Sequence, residues 1–324
     1  MLLDCLPSQP TCVTDSIDLR LQLGVLVAPS TNEASDRAHP SEPRCNFDGI
    51  SLQISARAAG VGYGAAVQPL LFLGVGPIAR AVREQLPDVS ASGTTRSAPD
   101  ARFDSIAPIA AHDSAQIAAR ARGARVVVSF PPDGVSDRQF AALVGDAASV
   151  VYLSSTAVYP AAAAIVTEVS AVEASSERAR ARLEAEAIWL AAGASVVRLP
   201  AFYGTTSGLH LSLARGTFRM PGAGNNIVSR VHVEDAARFV QAAFAAPPGS
   251  LLLAGDDEPA PVAEVVRFVC ELFGLPVPPA SEGEDIPQSL RASRTVDNRA
   301  TKERFQIRLC YPNYRDGYRA IWTG

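Results

Sequence analysis

Pro69-Leu70-Leu71-Phe72-Leu73-Gly74-Val75-Gly76-Pro77-Ile78-Ala79 is an apolar run that turns on two glycines into a segment with helical spacing. An uninterrupted apolar run bounded by glycine reads as a strand buried on both faces, as parallel strands are. Beyond the turn, Ile78, Val82 and Leu86 recur at helical spacing, and Pro77 stands in the first turn, where a helix tolerates it. Strand, glycine turn and helix open a dinucleotide-binding unit, in which amides at the helix N-terminus face a pyrophosphate. Gly-x-Gly-x-x-Ala alone is weak, because plain strand-to-helix connections also use it. Its surroundings therefore decide the reading.

Those surroundings repeat the rhythm. A strand is expected over 88–92, a helix over 113–120, a strong strand over 124–130 ending in Phe130-Pro131-Pro132, a helix over 137–143 and a strand over 149–153. Strands alternating with helices in this way indicate βαβ units and a Rossmann-type, doubly wound parallel sheet. The candidate cofactor-binding residues are then Gly74, Gly76, Pro77, Ile78 and Ala79 at the first turn, and Phe130, Pro131 and Pro132 at the later strand end. After the second strand the chain reads Gly93-Thr94-Thr95-Arg96 with no acidic residue. An acid there would bond a ribose 2′-hydroxyl, whereas an arginine accommodates a 2′-phosphate. Thr95 and Arg96 thus point to NADP rather than NAD, the plainer alternative being a solvated arginine in a polar loop.

Composition narrows the class. The chain has 324 residues, 48% of them hydrophobic, and a net charge of −4, which describes an ordinary soluble globular protein without a basic footprint for nucleic acid. No apolar run reaches the roughly 18–20 residues that span a bilayer. Three of the five cysteines (Cys5, Cys12, Cys45) fall in the first 66 residues, and Cys270 and Cys310 stand alone. The expectation is a reducing, cytoplasmic setting, no metal site, and core packing for Cys270. Asp4 stands where a signal peptide would carry a cation. Residues 1–66 lack a sustained period and read as a poorly ordered extension, or as sequence upstream of the native start. Residues 67–200 form the nucleotide-binding domain, and 201–324 a small C-terminal substrate lobe with returns to the sheet.

Further along, Val151-Tyr-Leu-Ser-Ser155-Thr156-Ala-Val-Tyr159-Pro160, Val196-Val-Arg198-Leu-Pro200-Ala-Phe-Tyr203-Gly204, Arg230-Val-His232-Val-Glu-Asp235 and Tyr311-Pro-x-Tyr314-x-x-Gly317 follow in order. In these segments the chain resembles the extended short-chain dehydrogenase/reductase family, which binds NAD or NADP and includes sugar-nucleotide epimerases, dehydratases and reductases. The resemblance implies that Ser155 polarises a substrate oxygen, with Thr156, Tyr203 and Arg230 on the substrate side, and places Pro200 beside the cofactor. It also implies a Tyr-x-x-x-Lys pair on the next helix. Here Ser176 and Arg180 take those positions, and Lys302 is the only lysine in the chain.

That departure is chemical. A serine hydroxyl is a poor proton donor near neutral pH without an adjacent base. Arg180 could hold a ribose hydroxyl, but its flat fork does not reproduce a lysine point charge. Tyr159 is the candidate replacement donor, packing being its alternative role, and His232 suits a structural position at a helix start. Val228 stands where a diphosphate-gripping arginine would be expected, so a nucleotide sugar is weakly supported. The helix over 178–190 could form a homodimer face or pack on the sheet of a monomer. Two readings follow: an NADP-dependent oxidoreductase or epimerase/dehydratase-like enzyme acting on a small carbonyl or hydroxyl substrate, or a catalytically silent NADP-binding sensor or partner subunit.

Overall fold

The structure, a computed structural model, describes residues 67–96, 106–161, 164–281, 286 and 291–322. The N-terminal extension lies outside the described residues. Seven strands form the central sheet: β1 (Leu70–Leu73), β2 (Ala91–Thr95), β3 (Ala107–Ala110), β4 (Arg125–Val128), β5 (Ser149–Ser155), β6 (Ser195–Leu199) and β7 (Leu251–Leu253). They lie in the order β3-β2-β1-β4-β5-β6-β7, and every pair is parallel. This is the doubly wound α/β sheet that the apolar runs predict. Its order reverses between β1 and β4, so a crevice opens where those strands end, at Gly74 and Ser129.

Helices cover both faces. On one, α1 (Pro77–Gln85) and α6 (Val233–Phe244) bury Ile78, Val82, Phe239 and Val240 against Leu70, Phe72, Val127 and Val197. On the other, α2 (Ser114–Ala121), α3 (Val135–Ala141) and α4 (Glu177–Ala191) bring Ile117, Phe140 and Trp189 onto Leu71, Leu73, Val126 and Tyr152. Full burial of each such side chain stabilises the fold by about 1.5–3 kcal/mol. Asp113 and Ser176 start α2 and α4 by accepting backbone amides of Gln116 and Ala179. Two side chains tie α6 to α1: Gln85 donates to the Glu234 carbonyl at 2.8 Å, and Gln241 donates to Gln85 at 2.5 Å.

A third core belongs to the C-terminal part. Here α5 (Leu209–Ala214), α7 (Val262–Phe273) and the helix Tyr314–Ile321 enclose Tyr203, Leu213, Val265, Val269, Cys270 and Tyr318. The α7 helix ends at Gly274, whose φ of 64° is the left-handed turn glycine favours. Cys270 packs in this core, as its isolation in the sequence suggests. Among the described residues no helix is long and apolar enough to cross a membrane.

Two elements depart from expectation. The second strand runs over 91–95 rather than 88–92, because Pro87 and Asp88 form the turn and Ser92 pairs with Leu71. Its Gly93 is disfavoured in strands and no apolar run marks it, but the parallel neighbours on both sides decide. Gly93 is needed there: a Cβ would stand 2.6 Å from Val75 Cγ2. Strand β3, Ala-Pro-Ile-Ala, carries no alternating signal and was not expected. As the edge strand it tolerates Pro108 and exposes three of its four residues.

Candidate functional site

The strand ends β1, β2 and β4 converge on a cleft of about 1040 Å³. Gly74 has φ 93°, and a Cβ there would stand 2.9 Å from the Phe130 amide nitrogen, so only glycine makes this turn. Two hydroxyls pin it: Thr94 Oγ1 accepts the Gly74 amide at 2.9 Å, and Ser129 Oγ donates to the Gly74 carbonyl at 2.7 Å. Gly76 precedes α1, no side chain caps that helix, and a Cβ at Gly76 would meet nothing within 4 Å. The approach to the N-terminus of α1 is therefore open at Gly76, which suits an anion.

Of the expected cofactor residues, Gly74, Gly76, Thr95, Arg96, Phe130 and Pro131 line this cleft. Pro77, Ile78, Ala79 and Pro132 do not; Ile78 and Ala79 are buried under α1, where the small Ala79 brings helix and sheet close. Arg80, His112, Ser136 and Gln139 also line it and were not anticipated, since they project from helices and loops outside the motif. No carboxylate is among the described residues lining the cleft. At its rim stands Asp133. Partial burial raises its pKa, but hydrogen bonds from Ser136 and Val135 and the charge of Arg96 outweigh that and hold it below the usual value. The buried Asp137 fixes the same loop by accepting the amides of Asp133 (3.1 Å) and Gly134 (2.9 Å) and the indole of Trp189 (2.8 Å).

A second, smaller cavity of about 210 Å³ opens at the ends of β5 and β6. Ser155 and Thr156 line it as expected, together with Pro200, which belongs to this pocket rather than to the large cleft. Ser155 Oγ accepts the Ala157 amide at 3.2 Å, leaving its hydroxyl hydrogen for a ligand oxygen. Arg294, which the sequence did not single out, lines it too.

Tyr159 is not placed to exchange protons with a ligand there. It is 1% exposed, donates to the Thr167 carbonyl at 2.9 Å and accepts from Arg198 at 3.1 Å. Burial raises its pKa despite Arg198. Arg198 in turn pairs with buried Glu186 through two hydrogen bonds, 3.0 and 2.7 Å, and Ser154 donates to the same carboxylate. The geometry makes Tyr159 part of a buried ionic network that ties β5, α4 and β6 together.

The positions expected for Tyr-x-x-x-Lys are also structural or exposed. Ser176 caps α4 through its hydroxyl, and Arg180 is exposed, lining neither cavity. Arg182 of α4, like Glu186, reaches the end of β5: it donates to Tyr152 Oη (2.9 Å) and the Leu153 carbonyl (3.0 Å). Burial pushes Tyr152 up to about 12 even so. Lys302 is held in an ion pair with Asp257, away from both cavities.

The expected substrate residues Tyr203 and Arg230 lie elsewhere as well. Arg230 is buried and donates to the carbonyls of Val228 (2.7 Å) and Ala260 (3.5 Å), while Tyr203 stacks on Tyr318 with centroids 4.4 Å apart. Asp256 is buried near them, and its carboxyl is raised well above its usual pKa by burial, against the pull of Arg230. The family resemblance implies a substrate-side place for both, yet packing turns both side chains inward, Arg230 among Tyr203, Asp256 and Tyr318. His232 has the structural role expected of it: Nδ1 accepts the Glu234 amide at 3.3 Å at the start of α6, and burial lowers its pKa to about 4.

No family model and no curated protein matches the chain. Solved structures do. A conserved protein of unknown function from Silicibacter pomeroyi is 31% identical, with a TM-score of 0.66 over 79% of this chain and 98% of its own. The dTDP-glucose 4,6-dehydratase DesIV from Streptomyces venezuelae, solved with NAD, is 18% identical, with a TM-score of 0.65 over 78% and 96%. The UDP-glucose 4-epimerase from Thermotoga maritima, solved with UDP-glucose, is 12% identical, also at 0.65 over 78% and 96%. The chain thus has the fold of the extended, epimerase/dehydratase-like short-chain dehydrogenase/reductases and belongs to one family with the conserved Silicibacter pomeroyi protein.

Proposed function

We propose that the protein is an NADP(H)-dependent oxidoreductase or epimerase/dehydratase-like enzyme of the extended class, acting on a small carbonyl or hydroxyl substrate. The observation that carries the reading is the cleft at the β1/β4 crossover, with its glycine turn open to a pyrophosphate, Arg80 and Arg96 on its wall, and no carboxylate among the described residues that line it. Gly74, Gly76 and the first turn of α1 would hold the pyrophosphate, and Arg96 a 2′-phosphate. Nicotinamide, when bound, supplies or takes up a hydride. Ser155 donates a hydrogen bond to the substrate oxygen, and Thr156 adds a second hydroxyl beside it. The solved neighbours that carry NAD support the class of cofactor.

NADPH and NADH titrations followed by nicotinamide fluorescence test the cofactor. NADPH is expected to bind more tightly, and Arg96→Ala to erase the preference; equal affinities in the wild type sink the assignment. The capped and exposed positions of Ser176 and Arg180 favour a second reading, a nucleotide-binding protein without turnover. Reduction of any carbonyl compound by NADPH, lost in Ser155→Ala, eliminates that second reading.

A further inference from the structure

The smaller cavity contains a positive charge with no ion-pair partner among the described residues. Arg294 is half-buried on its wall, and one guanidinium nitrogen donates to the carbonyls of Thr156 (2.7 Å) and Tyr159 (2.6 Å). No carboxylate among the described residues forms an ion pair with it. Burial lowers its pKa, and no neighbouring anion restores it. A half-buried guanidinium is partly stripped of water, and its planar fork of N–H donors matches a carboxylate or phosphate.

The rest of the wall defines what would carry that anion. Ser155, Thr156 and Ser229 contribute hydroxyls, Ser229 Oγ already accepting the Val296 amide at 2.8 Å; Pro200, Ile227 and Val228 are apolar. Among the described residues no carboxylate or amide side chain lines this cavity, so its one charged group is the Arg294 cation. Its volume, about 210 Å³, falls below the roughly 300–1,000 Å³ of drug-sized ligand sites.

We propose that this cavity binds the acid group of a compact, largely apolar substrate, whose carboxylate or phosphate Arg294 holds close to the oxygen engaged by Ser155. The proposal deepens the reading of Ser155 as the substrate-facing hydroxyl and rests on it.

The test is calorimetric titration, with and without saturating NADPH, using 2-oxobutanoate, its neutral counterpart 2-butanone, propyl phosphate and UDP-glucose. An acid should bind at least ~10-fold more tightly than the ketone. Whichever of carboxylate and phosphate binds better identifies the anion. Ala201 lines the cavity at an exposed position, so Ala201→Asp adds a competing charge with little risk to the fold. It should weaken acid binding at least ~10-fold, while Ala201→Asn, of equal size, stays within about twofold. Arg294→Gln should match the aspartate variant, but it also releases two loop carbonyls, so the Ala201 pair decides. Equal affinity for acid and ketone, equal behaviour of the two Ala201 variants, UDP-glucose as the tightest ligand, or no saturable acid binding at tens of millimolar each overturn the proposal. NADPH affinity is read separately by fluorescence, and its absence in the wild type would count against the dinucleotide reading instead.

Discussion

The large cleft and the Ser155 pocket both open at the C-terminal ends of sheet strands, yet they are assembled differently. The cleft is framed by three neighbouring strand ends, and its floor is backbone: a glycine turn pinned by Thr94 and Ser129. The pocket gathers four segments between Ser155 and Val296, and its character comes from side chains, a guanidinium among hydroxyls and apolar walls. A backbone cradle depends on a short local sequence. A side-chain pocket depends on distant elements being held together, here by the buried Glu186–Arg198–Tyr159 network.

That difference can be broken most forcefully at Glu186. Replacing it by Ala leaves Arg198 buried without its partner and should cost about 3–5 kcal/mol in urea unfolding. A loss under ~1 kcal/mol would mean that the pocket side does not rest on this network.

Acid should act next, at the start of α6, which belongs to neither site. His232 is held neutral, with a pKa near 4 against an ordinary 6.5, so as pH falls through that window the unfolded chain takes up the proton first and the fold loses stability. The term reaches up to about 3 kcal/mol. Asp235, three residues on and pushed up to about 6 by burial, protonates first in the folded chain and works in the opposite sense. His232→Asn keeps an oxygen acceptor for α6 and removes only the first term. Its melting temperature should fall less than that of the wild type between pH 6.5 and 4; parallel curves would contradict the account.

The cleft side is probed at Gly74. Gly74→Ala places a Cβ against the Phe130 amide at a positive φ, costing about 1–3 kcal/mol. NADPH affinity should drop with it, while acid binding in the small pocket stays intact. Loss of both ligands together would show that the two regions are not separable.

Tyr159→Phe provides the finest distinction. It removes one hydrogen bond in each direction and should lower stability by about 0.5–1.5 kcal/mol without changing NADPH affinity or any turnover. A large loss of turnover at unchanged stability would return Tyr159 to the chemistry.

The sheet, α1 and the glycine turn were legible because their signals are local: an apolar run, two glycines, helical spacing. Strand β3 escaped because an edge strand with a proline has no pattern to read, and β2 moved by three residues because Pro87 and Asp88 are taken up by a turn. The place of Ser155 and Thr156 at a strand end beside the small cavity follows from a local motif. Tyr159, Tyr203 and Arg230 were misread because side-chain direction is set by tertiary packing, which spacing does not encode. Arg294 could have been suspected only from its chemistry, as an arginine flanked by Ser293 and Thr295 with no acid beside it.

The indole that steadies the cleft loop is also an optical probe. The chain has two tryptophans, of which Trp322 is exposed and Trp189 fully buried. Trp189 stacks on Tyr152 and meets Phe130 edge-on at 6.4 Å, so a single ring separates its emission from the wall of the cleft. Intrinsic fluorescence excited in the indole band can therefore report occupancy of that cleft without a label, with acrylamide quenching the Trp322 background.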